Sequence, residues 1–213
     1  MKKSFEAIGG SENNERFLSR IKILEFELAK TRKELTEIKK SSITDSKTGA
    51  YNVHYMNQEM PRILNEIFAY HKFEKGIVEH KRAGLIESAS VVFFDLDGFK
   101  SANDKFGHVA VDDLLKYLVD NIRSKTRWGD FLVRHGGDEF ILVLLNIDAE
   151  EAEKKAENLR RLVEEIGRNF GVTASVGLAN YKLNMGFRNF IDMADKAAME
   201  SKKSGKNRVT VAE

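Results

Sequence analysis

The sequence of 213 residues contains no cysteine, which excludes a disulfide framework, a thiolate nucleophile and Cys-ligated zinc, and is compatible with a reducing cytosol. Long apolar runs are missing too: the longest strongly apolar stretch, Phe140 to Leu145, falls far short of the roughly 18 to 20 residues that span a bilayer. No apolar segment follows the lysines of residues 1–14, so no secretory signal is expected. Charge of one sign is scarce as well. Thirty-five Lys+Arg against 33 Asp+Glu leave a formal +2, too balanced for the polyanion-binding surface of a DNA-binding domain. What is present is 42% hydrophobic residues, enough for one buried core. The expectation is a soluble, cytoplasmic protein with no nucleic acid partner and no membrane insertion.

From Phe17 the apolar residues alternate in 4,3 spacing through Ile21, Leu24, Leu28, Leu35 and Ile38, with Thr31 in the one gap. That is a heptad seam. With Ile21, Leu28 and Leu35 at a and Leu24, Thr31 and Ile38 at d, the g-to-e pairs of a parallel dimer are Arg20 with Glu25, Glu27 with Arg32, and Glu34 with Lys39. All three are opposite in sign, which favours a parallel homodimer through residues 17–41 over a single amphipathic helix docked on its own domain. Three to four heptads are marginal alone, so the stalk is expected to assist a dimer made elsewhere. The division is a flexible N-terminus (1–16), a parallel coiled-coil stalk (17–43) and a globular domain (44–213).

In the globular part, Thr44 to Gly49 reads as a break, and Asn52 to Tyr70 as a helix in which Pro61 predicts a kink or a late start. Lys72 to Ser88 has no period and reads as a surface insertion. Ser90–Phe94 suits a buried central strand and Val109–Lys125 a helix. Phe131–Val133 and Glu139–Leu145 form a hairpin around Arg134-His135-Gly136-Gly137-Asp138. Ala149–Gly167 follows as a helix, Val172–Leu178 as a strand, Phe187–Lys203 as a helix and Arg208–Val211 as a closing strand. From Ser90 this is the βαββαβ order of a ferredoxin-like α+β domain, with a helix and a strand added. A mainly antiparallel sheet with helices on one face is expected.

Asp95 and Asp97 end an apolar strand, and Asp138 with Glu139 lies on the neighbouring hairpin turn. Carboxylates so placed repel one another without a cation, and an oxygen-only set suits hard Mg²⁺ shared with substrate phosphates. Gly136 and Gly137 lack Cβ, so turn amides can approach a phosphate closely, although most such turns only close hairpins. Two rivals of Asp95-Leu96-Asp97-Gly98 fail. A haloacid-dehalogenase-type nucleophile motif needs Thr where Phe99 stands, and an EF-hand needs Gly and Glu where Lys100 and Phe106 stand.

The segment Phe94 to Lys100, Asn103-Asp104, Gly107-His108, then Gly136-Gly137-Asp138-Glu139-Phe140, Ser175-Val176-Gly177, and Ala194-Asp195 through Gly205-Lys206-Asn207-Arg208 resembles the GGDEF family of diguanylate cyclases. The resemblance covers residues 45 to 211. It implies a nucleotidyl-cyclase and polymerase-palm-type fold, and an enzyme that joins two GTP across a homodimer into cyclic di-GMP, releasing two pyrophosphates. Asp95, Asp138 and Glu139 are then the catalytic carboxylates. Two Mg²⁺ or Mn²⁺ per active site are held by Asp95, the Leu96 carbonyl, Asp138 and Glu139. Asn103 and Asp112 match the guanine readers. Lys100, Lys202 and Lys206 match phosphate contacts beside the Gly136-Gly137 turn. Lys206 replaces a more usual Arg, and a bidentate contact becomes a point charge. Arg127 and Asp130 match the family's R-x-x-D site, where cyclic di-GMP binds as inhibitor; a turn-stabilising Arg/Asp pair is the plain alternative. His108 and His135 read as supporting residues.

Departures are present. The family's D-x-L-T-G-L-x-N-R motif appears as Asp45-Ser46-Lys47-Thr48-Gly49-Ala50-Tyr51-Asn52-Val53, losing both Leu residues and the Arg, and Val111 replaces a usual Gly beside Asp112. No E-A-L or H-D-type phosphodiesterase segment occurs, so synthesis without degradation is expected. The competing function is a catalytically silent GGDEF module that binds GTP or cyclic di-GMP and signals through its coiled coil; the intact Asp95, Asp138 and Glu139 argue for the enzyme. The activating signal is not legible.

Overall fold

The computed structural model describes residues 5–75 and 86–213, with side chains from residue 16. The chain forms two compact units, Met1–Ser42 and Ile43–Glu213. The first holds the helix α1 (Phe5–Ile43), which begins upstream of the heptad seam, so that residues 5–16, expected to be flexible, are helical. The seam residues Ile21, Leu24, Leu28 and Leu35 are each about half exposed. Thr31 spends its hydroxyl within the helix, donating to the Glu27 carbonyl at 2.9 Å. Among the described residues no helix is long and apolar enough to cross a membrane.

The second unit is built on a six-stranded sheet of order β1-β3-β4-β2-β5-β6, from β1 (Tyr51–Asn52), β2 (Ala89–Asp97), β3 (Phe131–Arg134), β4 (Glu139–Leu145), β5 (Thr173–Asn180) and β6 (Arg208–Val211). The inner pairs β3/β4, β4/β2 and β2/β5 are antiparallel, and the outer pairs β1/β3 and β5/β6 are parallel. The inner four strands therefore have the ferredoxin-like arrangement that the element order predicts.

Helices cover both faces, not one. Every residue of β2 is buried, and its side chains alternate between two cores because strand side chains point to opposite faces. Val92, Phe94 and Leu96 pack with Leu115, Leu118 and Ile122 of α4 (His108–Lys125) and with Leu159 and Val163 of α5 (Ala149–Gly167). Val91 and Phe93 pack with Met60, Ile63 and Ile67 of α2 (Val53–Glu74) and with Phe190 and Ile191 of α6 (Phe187–Lys203). Close approach of α6 depends on Gly177 of β5, where an added Cβ would lie 2.0 Å from the Ala194 carbonyl oxygen.

Other boundaries differ from expectation in explicable ways. The side chain of Asn52 caps α2, accepting from the Tyr55 N–H at 3.0 Å, so the helix starts at Val53 and runs through Pro61 rather than starting late. It continues to Glu74, taking in residues expected as a surface insertion. Residues 76–85 of that expected loop lie outside the described residues, and Ile86, still within it, is buried. A short helix, α3 (Phe99–Phe106), intervenes between β2 and α4, entered through Gly98 at φ +78°. At Gly98 a Cβ would also stand 2.5 Å from the Gly171 carbonyl oxygen, so both backbone and packing require glycine.

Candidate active site

The site forms where β2 ends against the β3–β4 turn. Antiparallel register sets Asp95 opposite Glu139 on one side and Ser175 on the other. The turn is tied to the strand by Leu96 N–H donating to the Asp138 carbonyl at 3.1 Å. Within the turn, the His135 and Gly136 amides both donate to the Glu139 carbonyl, at 2.8 and 3.2 Å. Asp95, Glu139 and Asp138 are thus brought together by β pairing that the apolar strands enforce.

Lys202, in the last turn of α6, reaches Asp95 with Nζ 2.6 Å from Oδ2. Burial pushes the Asp95 carboxyl above its ordinary range, and the charges of Asp138 and Glu139 add to this, together outweighing the Lys202 hydrogen bond. Burial works against the Lys202 ammonium, but Asp95, with Asp138 and Glu139 behind it, holds its pKa above the ordinary value. Carboxylates in this position call for a cation, and in the structure the ammonium serves as one. Asp195, also on α6, is pushed up by burial and by Glu139 and Asp192, against His135 and Lys202, and so borders the same cluster.

Asp97 is separate from this group. Its Oδ1 accepts from Ser175 Oγ at 2.8 Å, and its Oδ2 from Thr173 Oγ1 at 3.0 Å and the Asn207 amide at 3.2 Å, so the carboxylate is spent joining β2, β5 and the segment before β6.

Arg134 organises the glycine turn. Its side chain is 10% exposed, with Nε donating to the Gly136 carbonyl at 3.1 Å, Nη2 to the Gly137 carbonyl at 2.7 Å and Nη1 to Asp45 Oδ1 at 3.0 Å. Asp45 accepts in addition from Thr48 N–H and Oγ1 at 2.9 and 2.6 Å. Sequence reasoning assigns neither residue to the site. The signal lies in Asp45 and Thr48 at turn spacing and in an Arg directly before the turn, but the contact between them is tertiary. At Gly136 a Cβ would stand 2.8 Å from Glu139 Oε2, the outer end of a flexible side chain that can swing aside, and at Gly137 no described atom within 4 Å would meet one. Neither has a left-handed φ.

A second group lies on α3 and α4. Asn103 Nδ2 donates to the Phe99 carbonyl at 3.2 Å, and its Oδ1 lies 2.9 Å from His108 Nδ1. Asp112 is paired with Lys47, whose Nζ is 2.8 and 3.1 Å from the two carboxylate oxygens. His135 lies 3.3 Å from Glu139 Oε2 and edge-on to Phe93. Lys100 on α3 and Lys206 are exposed, Lys206 in a left-handed turn at φ +63°.

Arg127 and Asp130 share the turn before β3. Asp130 is almost wholly buried; its Oδ1 accepts from the Leu145 amide at 3.0 Å and its Oδ2 from the Arg127 amide at 3.4 Å. The Arg127 guanidinium pairs with Glu151 at 3.1 Å.

Among the described residues no three His, Cys, Asp or Glu are gathered as a ready metal site. The donors nevertheless fit a hard divalent cation, because Asp95, Asp138, Glu139 and the Leu96 carbonyl offer only oxygen and the buried carboxylate already draws a cationic group.

Fold and site together define a class, a ferredoxin-like α+β domain with carboxylates at the end of its central strand and a glycine turn beside them. Residues 42–208 match the family described as diguanylate cyclase, GGDEF domain, and the chain belongs to that family. It is 39% identical over 132 residues to diguanylate cyclase A of Treponema denticola, covering 59% of this chain and 36% of that protein. Over 156 residues it is 31% identical to diguanylate cyclase DosC of Escherichia coli K12, covering 70% and 34%. The chain thus spans about a third of the length of these curated relatives. In fold it resembles the coiled coil and GGDEF domain of DgcB from Caulobacter crescentus in complex with c-di-GMP, with a TM-score of 0.75 and 24% identity, covering 91% of this chain and 98% of that one.

Proposed function

We propose that this chain is a diguanylate cyclase that condenses two GTP into cyclic di-GMP. The observation that carries the reading is the assembly of Asp95, Asp138 and Glu139 around Lys202 beside a glycine turn, in a chain of the GGDEF family. Each domain holds one GTP, and two domains face each other across a two-fold axis. The 3′-oxygen of each nucleotide attacks the α-phosphorus of the other, and pyrophosphate leaves twice.

Asn103 and Asp112 read the guanine. The Gly136-Gly137 turn, clamped by Arg134, presents its backbone to the phosphates; among the described residues nothing within 4 Å would meet a Cβ at 137, which fits close approach by a ligand. Lys100, Lys202 and Lys206 hold the triphosphate, Lys202 moving from Asp95 as it does so. Mg²⁺ or Mn²⁺, two per site, would be held by Asp95, the Leu96 carbonyl, Asp138 and Glu139, and supplies when bound a neutralised leaving group and a more acidic 3′-hydroxyl. Asp95 and Glu139, paired across the strands, keep the cation-binding oxygens aligned.

Product inhibition belongs to the same reading. Cyclic di-GMP binds at Arg127, whose guanidinium exchanges Glu151 for the ligand, while Asp130 keeps the turn in shape. The seam of α1 joins two chains as a parallel coiled coil, in which Thr31, its hydroxyl already satisfied, leaves no unpaired donor at the interface. A GTP-consuming enzyme of this kind works in the cytoplasm. Incubation with GTP and Mg²⁺ and identification of the product tests the proposal: cyclic di-GMP with two pyrophosphates supports it, and GTP recovered unchanged from a folded dimer points to a silent module.

A further inference from the structure

Lys47 stands at a position where the family's opening motif has Leu, and the structure gives this departure a place. Its ammonium grips both oxygens of Asp112, bridging the loop that opens the domain to α4. With the side chains 57% and 37% exposed, such a pair adds little to stability. Its significance is chemical, because it lies on the carboxylate assigned to the base.

We propose that Lys47 is a third base-reading residue, a donor to O6 of guanine that works jointly with Asp112. The inference rests on the reading of Asn103 and Asp112 as the guanine contacts. A carboxylate that accepts from N1–H and N2–H₂ brings one of its oxygens beside O6, acceptor against acceptor. An ammonium carries three donors and no acceptor, so Lys47 can bond to Asp112 and O6 at once and remove that repulsion. Asn103 alone is less able to do so. Its Oδ1 is held by His108 and one amide hydrogen by the Phe99 carbonyl, which leaves a single N–H for the base. Adenine offers an amino donor in place of O6 and a bare N1 acceptor in place of N1–H, so it would set donor against Lys47 and acceptor against Asp112. A Leu at position 47 could do neither; in this chain guanine selection has gained a charged contact.

The test is equilibrium binding by calorimetry in Ca²⁺, on the full chain, with GTP, ITP and 2-aminopurine riboside triphosphate. GTP and ITP carry O6 and N1–H; the third keeps the 2-amino group but has hydrogen in place of O6 and a bare N1 in place of N1–H, so it binds more weakly from the outset and the comparison is of the loss that each nucleotide suffers on Lys47→Met. Lys47→Met is expected to weaken GTP and ITP about tenfold, the scale of one hydrogen bond involving a charged group, and the 2-aminopurine nucleotide less than about twofold. Lys47→Arg, which keeps a cationic donor, should recover most of the GTP affinity, and neither change should move the thermal melt. Unchanged or tighter GTP binding by Lys47→Met would mean that Lys47 only covers Asp112 in the free domain, and would overturn the inference while leaving the GTP reading intact. An equal loss for all three nucleotides would overturn it as well, in favour of a general charge effect. Failure of the wild type to bind GTP would bring down the GTP reading and this inference together.

Discussion

Asp138 contributes to the fold through its backbone, whose carbonyl receives the Leu96 N–H, and that bond survives any side-chain change. Asp138→Ala should therefore leave a circular-dichroism melt almost unmoved while reducing cyclic di-GMP formation by far more than tenfold. Retention of more than about a tenth of wild-type turnover, which is only ~1.4 kcal/mol of barrier, would remove Asp138 from the machinery. Asp130 is the opposite case, a side chain whose hydrogen bonds hold structure. Asp130→Ala strands the Leu145 amide and should cost about 1–3 kcal/mol of stability, read as a lowered denaturation midpoint. Arg127→Ala breaks only a half-exposed pair with Glu151. It should leave stability and initial rate alone while raising the product concentration needed for inhibition, and equal inhibition of both proteins would reduce Arg127 to a turn contact. Asp45 adds a pH signature. Burial works to raise its carboxyl, but Thr48 and Arg134 outweigh this and hold it below its ordinary value of 3.8. A depressed carboxyl stabilises the fold above its unfolded pKa, and that contribution is lost as pH falls through the folded value. Urea melts should thus show a stability gap between wild type and Asp45→Asn that is constant from about pH 8 to 5 and closes only below about pH 4. A gap closing near pH 6 would assign the effect to another group.

Elements with a strong period of their own are legible in the sequence. The helices Ala149–Gly167 and Phe187–Lys203 and the strand Arg208–Val211 stand where their patterns place them. Elements defined by their neighbours are not legible in this way. β1 has two residues, too few for a period, and exists because it pairs with β3. α3 has one buried side chain, Ala102, and at eight residues its apolar positions Phe99, Ala102 and Phe106 are too few to announce a period. The closeness of α6 to the sheet is concealed by small residues: β5 presents Gly177 to α6, and α6 answers with Ala194, Ala197 and Ala198, which read as low hydrophobicity rather than as a tight interface. The site divides in the same way. Asp95, Asp138 and Glu139 can be read as a cluster because the βαββαβ order pairs the strands whose ends carry them, whereas the Arg134–Asp45 clamp and the Lys47–Asp112 pair are side-chain contacts that no strand pairing announces. The tight α6 interface is itself testable. Gly177→Ala would drive a Cβ into the Ala194 carbonyl and the backbone of Ala198, neither of which can move without displacing the helix. A loss of about 1–3 kcal/mol is expected, the scale of overpacking. Because Lys202 sits on the same helix, GTP affinity should fall together with stability, and a variant as stable as wild type would show that α6 is free to shift.

At the scale of the whole molecule, the proposed reaction needs two domains facing each other, each supplying one GTP, and turnover then depends on how often they meet. A seam joining two chains keeps their local concentration high even where the domain interface is weak. Four seam residues of α1 stand about half exposed in the single chain, an apolar stripe that a second helix would cover. Removing residues 1–41 should lower the rate per domain at low protein concentration and restore much of it as concentration rises. Replacing Leu24 and Leu28 by polar residues should do the same, since both lie in the seam. The charged flanks decide orientation. Reversing Glu27 to Arg should weaken dimerisation modestly, because exposed pairs contribute at most about 1 kcal/mol. Adding Arg32→Glu should recover it only if the helices are parallel and in register, with each Glu27 facing the Arg32 of the partner helix. Rate per domain against concentration, followed alongside sedimentation, separates the outcomes. Activity equal to full length and independent of concentration in the truncated chain would mean that α1 does something other than bring the two domains together.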